Sequence, residues 1–280
     1  MNYSQMRFPN FRKKALTLSY DDAVRADKRL IEIMDKHGLK GTFNINGGLF
    51  VEEATGRKAA KKDTLALFQN THHEIAIHGY KHPSLAELEK DMIAYDIIKD
   101  REALEELFGR VIKGMAYPNG SIDDRVVEIL RACGVEYART VVSTEKFDIP
   151  TDWLRLPATC HHNNPRLMEL AKTFVEAEPA RNLWYDKPML FYLWGHSYEF
   201  DDRDNWHVIE EFAAYMGGRE DIWYATNGEI YDYVKAFERL RYSVAGTFVQ
   251  NPSALDVYLC YRGKNVLVPA GKTVDLRGNA

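Results

Sequence analysis

Leu16-Thr17-Leu18-Ser19-Tyr20-Asp21-Asp22-Ala23 is the stretch on which the reading of this chain turns. Residues 15–20 form a short, largely apolar run of strand length, and it stops at two adjacent carboxylates. Neighbouring carboxylates repel each other unless something positive lies beside them. Some fifty residues on, a second apolar run, 74–78, ends in His78-Gly79-Tyr80-Lys81-His82. In parallel α/β folds, chemistry collects at the carboxyl ends of strands, and both clusters occupy that place.

Working outward, strand-like runs fall at 15–20, 41–46, 74–78, 113–117, 136–140, 154–158, 189–195 and 222–225. Helical patterns lie between them at 26–37, 84–108, 123–133, 165–176, 206–216 and 229–240. Ser84 with Glu87 reads as a capping box just after Pro83, and Gly38, Gly109 and Gly134 read as left-handed C-caps. Seven or eight alternating units imply parallel strands covered by helices, in a (β/α)7-8, TIM-like barrel more readily than an open sheet. Residues 1–243 are assigned to this α/β barrel. Residues 244–280 change character: short β-like runs at 244–249, 254–261, 265–268 and 273–276 are broken by turn-forming triplets such as Asn251-Pro252-Ser253. They read as a C-terminal β extension packed on the barrel.

Composition narrows the function. With 280 residues, 45% of them hydrophobic, the chain can bury one large core, and its net charge of −4 offers no footprint for nucleic acid or an anionic membrane. Cys133, Cys160 and Cys260 are far apart and odd in number, so they form neither a disulfide framework nor a thiolate metal site. No run of signal-peptide or membrane-span length occurs, and with free thiols this leads to an expected cytoplasmic location. Oligomeric state is open.

The polar clusters suit a metal. His78, His82 and one of the two aspartates make a two-histidine, one-carboxylate set, which holds catalytic zinc with a position left for water. Iron(II) uses the same type of triad, so ligand chemistry alone leaves the ion open. One carboxylate is left over for proton transfer. Further polar residues, Pro118-Asn119-Gly120 and His196, follow other strand-like runs.

Ser-Tyr-Asp-Asp-Ala at 19–23, His-Gly-Tyr-Lys-His at 78–82, Ala-Tyr-Pro-Asn-Gly at 116–120 and Trp-Gly-His at 194–196 resemble, in order, the motifs of the polysaccharide deacetylases, the NodB-homology domains of carbohydrate esterase family 4. The resemblance spans about residues 14–241 and implies a distorted barrel with fewer complete strands than eight. It implies removal of an acetyl group from an N-acetylated sugar or oligosaccharide by one divalent metal, zinc first, with cobalt, nickel, manganese or iron as alternatives. Asp21 would be the general base, Asp22 would join His78 and His82 on the metal, and His196 would protonate the departing amine. The backbone N–H of Asn119 would support the oxyanion, with Tyr117 of the same motif and Trp194 beside the substrate's acetyl group.

The departures from the motifs are informative. Ala23 stands for a usual glycine and Gly79 for a usual serine or threonine. Ala116 stands where the family usually carries an arginine paired with the base, and Arg155 is the candidate to replace that cation. No aspartate-containing motif matches the one that orients the catalytic histidine, and Glu199 is the candidate for that task. His72 and His73 read as structural, whereas His161-His162 reads as lining the sugar cleft, with His162 counted among the substrate contacts. Trp153, Trp206 and Tyr80 read as core packing. Other readings keep the same site for a non-sugar amide or an O-acetyl ester, or make the chain a silent carbohydrate-binding barrel that retains its metal.

Overall fold

In the computed structural model, which describes residues 4–178 and 186–279, each of the eight strand-like runs contains a strand. The chain begins with β1 (Ser4–Arg7), β2 (Lys14–Asp21), α1 (Asp27–Lys36), β3 (Gly41–Ile45), α2 (Lys61–Phe68), β4 (Glu74–Ile77) and α3 (Lys90–Phe108). It continues through β5 (Gly114–Ala116), α4 (Asp124–Ala132), β6 (Tyr137–Ser143), β7 (Leu156–Ala158), β8 (Cys160–His161), α5 (Leu167–Glu176) and β9 (Met189–Gly195). Then come α6 (Tyr198–Asp202), α7 (His207–Met216), β10 (Ile222–Tyr224) and α8 (Asn227–Glu238).

Every residue of β2 is buried, as its apolar run demands of a central parallel strand. Parallel pairing gives the order β7-β6-β5-β4-β3-β2-β9-β8. Because β3 meets β2 only from Leu18 onward, the edge from Lys14 to Leu16 stays free, and β10 fills it. The two ends of this order are one piece of chain, since Thr159 alone separates β7 from β8. Its Ala158 and Thr159 carbonyls accept from Thr144 and Glu145 beyond β6, while Thr159 and His162 donate to Tyr192 and Trp194 of β9. The sheet therefore returns to itself, and the barrel is distorted because one short segment serves two neighbours and β10 is a wedge.

The helices pack outside this sheet; α1 buries Leu30, Ile31 and Met34 at helical spacing. The glycine C-caps form, with φ of +67° at Gly38, +64° at Gly109 and +76° at Gly134. The capping box expected at Ser84 does not. Leu85–Glu87 is a single 3-10 turn, and α3 starts at Lys90. Ser84 Oγ accepts instead from Asn119 Nδ2 at 3.4 Å, because residues 79–88 are committed to a loop at the barrel mouth. A capping box forms at Thr226 and Glu229, at the head of α8.

The tail forms β11 (Arg241–Tyr242), β12 (Phe248–Gln250), β13 (Val257–Tyr261), β14 (Lys264–Val268) and β15 (Thr273–Asp275). These make two small antiparallel sheets, β11-β12-β15 and β1-β13-β14. The N-terminal strand thus belongs with the C-terminal sheet, pairing Ser4 with Tyr261 through to Arg7 with Tyr258. Val244, expected to open a strand, is fully exposed in a turn. Among the described residues no helix is long and apolar enough to cross a membrane.

Candidate active site

Asp21 is the last residue of β2, and the next two residues turn the chain sharply, with φ of +83° at Asp22 and +51° at Ala23. That left-handed region costs a residue with a Cβ about 1–2 kcal/mol, which explains a glycine at the position of Ala23 in other motifs of this type. The turn is held from three sides. Asp22 N donates to Asn44 O at 3.0 Å, Val24 N donates to Asp27 Oδ2 at 2.9 Å, and Ser197 Oγ donates to Asp27 Oδ1 at 2.6 Å. Burial pushes the Asp27 carboxyl up to about 7, against these hydrogen bonds.

The loop after β4 is shaped by two further left-handed residues, Gly79 (φ +75°) and His82 (φ +56°). Asp96 on α3 accepts from the N–H groups of Tyr80 and Lys81, and Asp100 accepts from those of Gly47 and His78. Asn46 Nδ2 donates to the carbonyls of His78 and Gly79. These bonds carry both imidazoles toward Asp22.

His78 Nδ1 lies 2.9 Å from the carbonyl of Ala116. A carbonyl only accepts, so Nδ1 bears the proton and Nε2 presents its lone pair. That Nε2 is 3.6 Å from Asp22 Oδ1, and His82 Nε2 is 3.7 Å from the same oxygen. A tetrahedral ion with ligands at about 2.1 Å spaces its donors about 3.4 Å apart, so these three atoms fit a divalent metal with little movement. Burial lowers the His78 pKa and favours the neutral imidazole that such an ion needs.

Asp21 is buried against the barrel interior. Asn44 Nδ2 donates to its Oδ1 at 2.8 Å and Arg139 Nη2 to its Oδ2 at 2.5 Å. His78 Nε2 and His196 Nε2 lie 3.9 and 3.7 Å from that second oxygen. Burial alone would raise this carboxyl, but the Arg139 guanidinium and the two histidines more than offset it and hold it at about 2.

The cation beside Asp21 is therefore Arg139 and not Arg155. Arg155 is exposed at the far end of its segment and pairs with Asp152 and Asp124. The parallel β5–β6 register explains the exchange, because Arg139 sits directly across from Ala116. The cation has moved one strand sideways, and its guanidinium lies 4.4 Å over the Trp194 ring, which supports it from behind.

Glu199 is placed as expected beside His196, with Oε1 2.8 Å from Nδ1. This bond and the two aspartates raise the His196 pKa, although burial opposes them. Glu199 also collects His161 Nε2 at 3.6 Å, His162 Nε2 at 3.5 Å and Arg203 at 3.6 Å. Its carboxyl sits well below the ordinary range because these cationic and hydrogen-bonding partners outweigh its desolvation.

Two expected substrate contacts are buried instead. His162 is fully enclosed between Tyr20 and Phe200, and a Cβ on Gly195 would fall 2.1 Å from its ring. Its half-exposed neighbour His161 faces the cleft, edge-on to Trp194. Tyr117 is buried and donates its hydroxyl to Leu154 O at 2.7 Å, so its side chain is a strut. Asn119 remains at the mouth with φ of +57°. His72 and His73 flank Asp35 away from these residues; His73 Nδ1 accepts from Gly41 N–H, which leaves Nε2 to donate to Asp35, a structural arrangement.

A cavity of about 310 Å³ opens beside Asp22 and His82. Two larger hollows of about 880 Å³ lie elsewhere, lined by segments such as 144–159 and 186–190, and among the described residues neither has a comparable cluster of acid, base and metal-ligand groups. Asp27, Asn44, Asn46, Asp96, Asp100 and Arg139 have no place in the sequence reading, whereas His161 keeps the cleft position expected of it. Only Arg139 left a visible signal, a charged residue inside the strand-like run Tyr137-Ala138-Arg139-Thr140.

The polysaccharide deacetylase family model matches residues 9–138. The chain is 29% identical over 102 residues to the uncharacterized protein YlxY of Bacillus subtilis, covering 36% of this chain and 30% of that one. It is 28% identical over 115 residues to a peptidoglycan-N-acetylglucosamine deacetylase of Bacillus cereus, covering 40% and 38%. The matches thus span only about a third of the length of these curated relatives. In fold, it resembles the crystal structure of a candidate polysaccharide deacetylase from Mycobacterium smegmatis, with a TM-score of 0.59 and 17% identity over 84% of this chain and 94% of that one.

Proposed function

We propose that this chain, whose residues 9–138 match the polysaccharide deacetylase family model, is a metal-dependent hydrolase that removes the acetyl group from an N-acetylated amino sugar or its oligomer. The observation that carries this reading is the convergence on one barrel mouth of Asp22, His78 and His82 with Asp21 and His196, whose reactive atoms lie 3.7 Å apart.

Asp22, His78 and His82 would hold the divalent ion, zinc by preference, which when bound supplies Lewis acidity and a water of lowered pKa. Asp21 takes the proton of the attacking water as its oxygen bonds to the acetyl carbon. With its carboxyl held at about 2, Asp21 is ionised throughout the neutral range, so its readiness as acceptor does not titrate there. His196, with its pKa raised, gives its Nε2 proton to the sugar nitrogen as the C–N bond breaks, and acetate and the free amine leave. Glu199 fixes the His196 ring through Nδ1 so that Nε2 faces the reaction. The Asn119 N–H supports the negative oxygen of the tetrahedral stage. Trp194 backs Arg139 and walls the acetyl side.

The deciding experiment measures acetate release from a panel of N- and O-acetylated sugars, with metal removed and restored. Turnover of the N-acetylated members, lost in Asp21→Asn with metal still bound, supports the assignment. Metal bound stoichiometrically with no acetate from any substrate sinks it. Faster release from O-acetyl sugars would transfer the site to ester chemistry.

A further inference from the structure

We propose that the hollow beside Asp22 is an anion-recognising subsite, in which Lys58 pairs with a carboxylate or phosphate carried by the sugar that presents its acetamide to Asp21 and His196. The hollow, about 310 Å³, has Asp22, His82, Leu49, Phe50, Lys58 and Tyr198 in its lining. Cavities that take small molecules begin at about 300 Å³, so this one has room for a single sugar ring with its substituents.

The two cations on its wall differ in what they are free to do. Arg57 is occupied, with its guanidinium 4.3 Å over the Tyr198 ring and 2.6 Å from Asp202. Lys58 has no carboxylate within pairing distance among the described residues, and its Nζ meets only the Leu49 carbonyl, at 3.4 Å. Asp22 lines the same hollow and still does not neutralise it. In a chain of net charge −4 with many ion-paired lysines and arginines, a half-buried ammonium left without an acidic partner beside the site is set to receive one.

The backbone that carries Lys58 is fixed. Arg25 N donates to Arg57 O at 2.9 Å, and Thr55 and Lys58 exchange two backbone bonds of 3.2 and 2.9 Å. Lys61 N closes the same loop onto Val51 O at 2.8 Å. The ammonium is therefore presented from an ordered strap, so that little need be ordered on binding, and Phe50 and Tyr198 contribute aromatic side chains to the same lining.

The inference rests on the deacetylase reading for its reaction, and its binding can be measured without turnover. The zinc-loaded Asp21→Asn chain is titrated with N-acetylglucosamine, N-acetylglucosamine 6-phosphate and N-acetylmuramic acid, alone and combined with Lys58→Ala or Lys58→Arg. At least one anionic sugar should bind about tenfold more tightly than the neutral one, as one well-placed charge pair allows, and the gain should shrink with added salt. Lys58→Ala should bring the anionic-to-neutral ratio toward one, and Lys58→Arg should keep it. Whichever anion gains more identifies the group recognised. Equal affinity for neutral and anionic sugars, or an equal loss for both in Lys58→Ala, overturns the proposal. A Lys58-dependent preference in a protein that releases no acetate keeps the subsite and sinks the deacetylase reading, whereas acetate release without preference does the reverse.

Discussion

Arg139 faces Ala116 across the β5–β6 ladder and from there reaches Asp21 Oδ2 at 2.5 Å. Both partners are buried to within 2% of complete enclosure, so neither charge is satisfied by water. Removing one partner of such a pair typically costs about 3–5 kcal/mol, because the other is left uncompensated. Arg139→Ala should therefore lower the unfolding free energy by an amount of that order in urea titration and abolish turnover. Ala116→Arg placed on that background should restore part of both. A destabilisation below 1 kcal/mol, on the order of a surface pair, would mean that Asp21 is compensated otherwise.

The same pair sets an acid limit. The folded-state pKa of Asp21, about 2, lies below its unfolded value near 3.9, so its contribution is present above pH 4 and is lost as pH falls toward 2. A shift of this size corresponds to about 2.5 kcal/mol, and Arg139→Ala should flatten the stability profile across that window. Unfolding measured from pH 5 to pH 2 checks the slope.

Asp27 has the opposite sign. Its folded pKa, raised to about 7, exceeds the unfolded one, so the folded state holds the proton and stability falls as pH rises from about 4 through 7. Asp27→Asn, which cannot ionise, should weaken that decline, and the gap between variant and parent should close toward pH 4. The comparison is best made with chelator present, so that metal binding does not move the curves. Parallel curves would exclude Asp27 as the source.

Glu199→Gln should lower the pKa of His196, because it replaces a carboxylate at 2.8 Å with a neutral amide while the ring can still be bonded. An NMR titration of the imidazole reads this directly. The alkaline limb of kcat, where His196 loses the proton it must donate, should move in the same direction, a response that a purely structural loss would not produce. An unchanged His196 titration would remove Glu199 from its positioning role.

Zinc at a hundredfold excess over its Kd should stabilise the folded chain by about 2.7 kcal/mol, seen as a rise in Tm. His78→Ala and Asp22→Ala should lose most of this rise, whereas His73→Ala should keep it. Retention of the full rise in His78→Ala would point to another site, such as the cluster at Asp35, His72 and His73.

Much of this was legible from local pattern. Apolar runs of strand length alternating with amphipathic ones mark the eight strands, and motif order alone singles out Asp21, Asp22, His78, His82 and His196. The errors have a common cause. Arg155 and His162 stand close in sequence to a motif or a strand end, yet position along the chain does not say which neighbour strand a side chain meets. Ser84 and Glu87 carry the letters of a capping box, but the loop that delivers His82 takes up those residues first. The strand Ser4–Arg7 has no partner nearby in sequence, since it pairs with residues more than 250 positions away.

What the sequence determined by itself is the α/β alternation and the residue types at the strand ends, because periodicity and turn chemistry act over a few neighbouring residues. What only the tertiary structure decided is the cation beside Asp21, the pairing of both chain ends in one sheet, and which histidine faces the cleft. Those depend on strand register and barrel closure, through which residues a hundred or more positions apart, Asp21 and Arg139 among them, are brought within hydrogen-bonding distance.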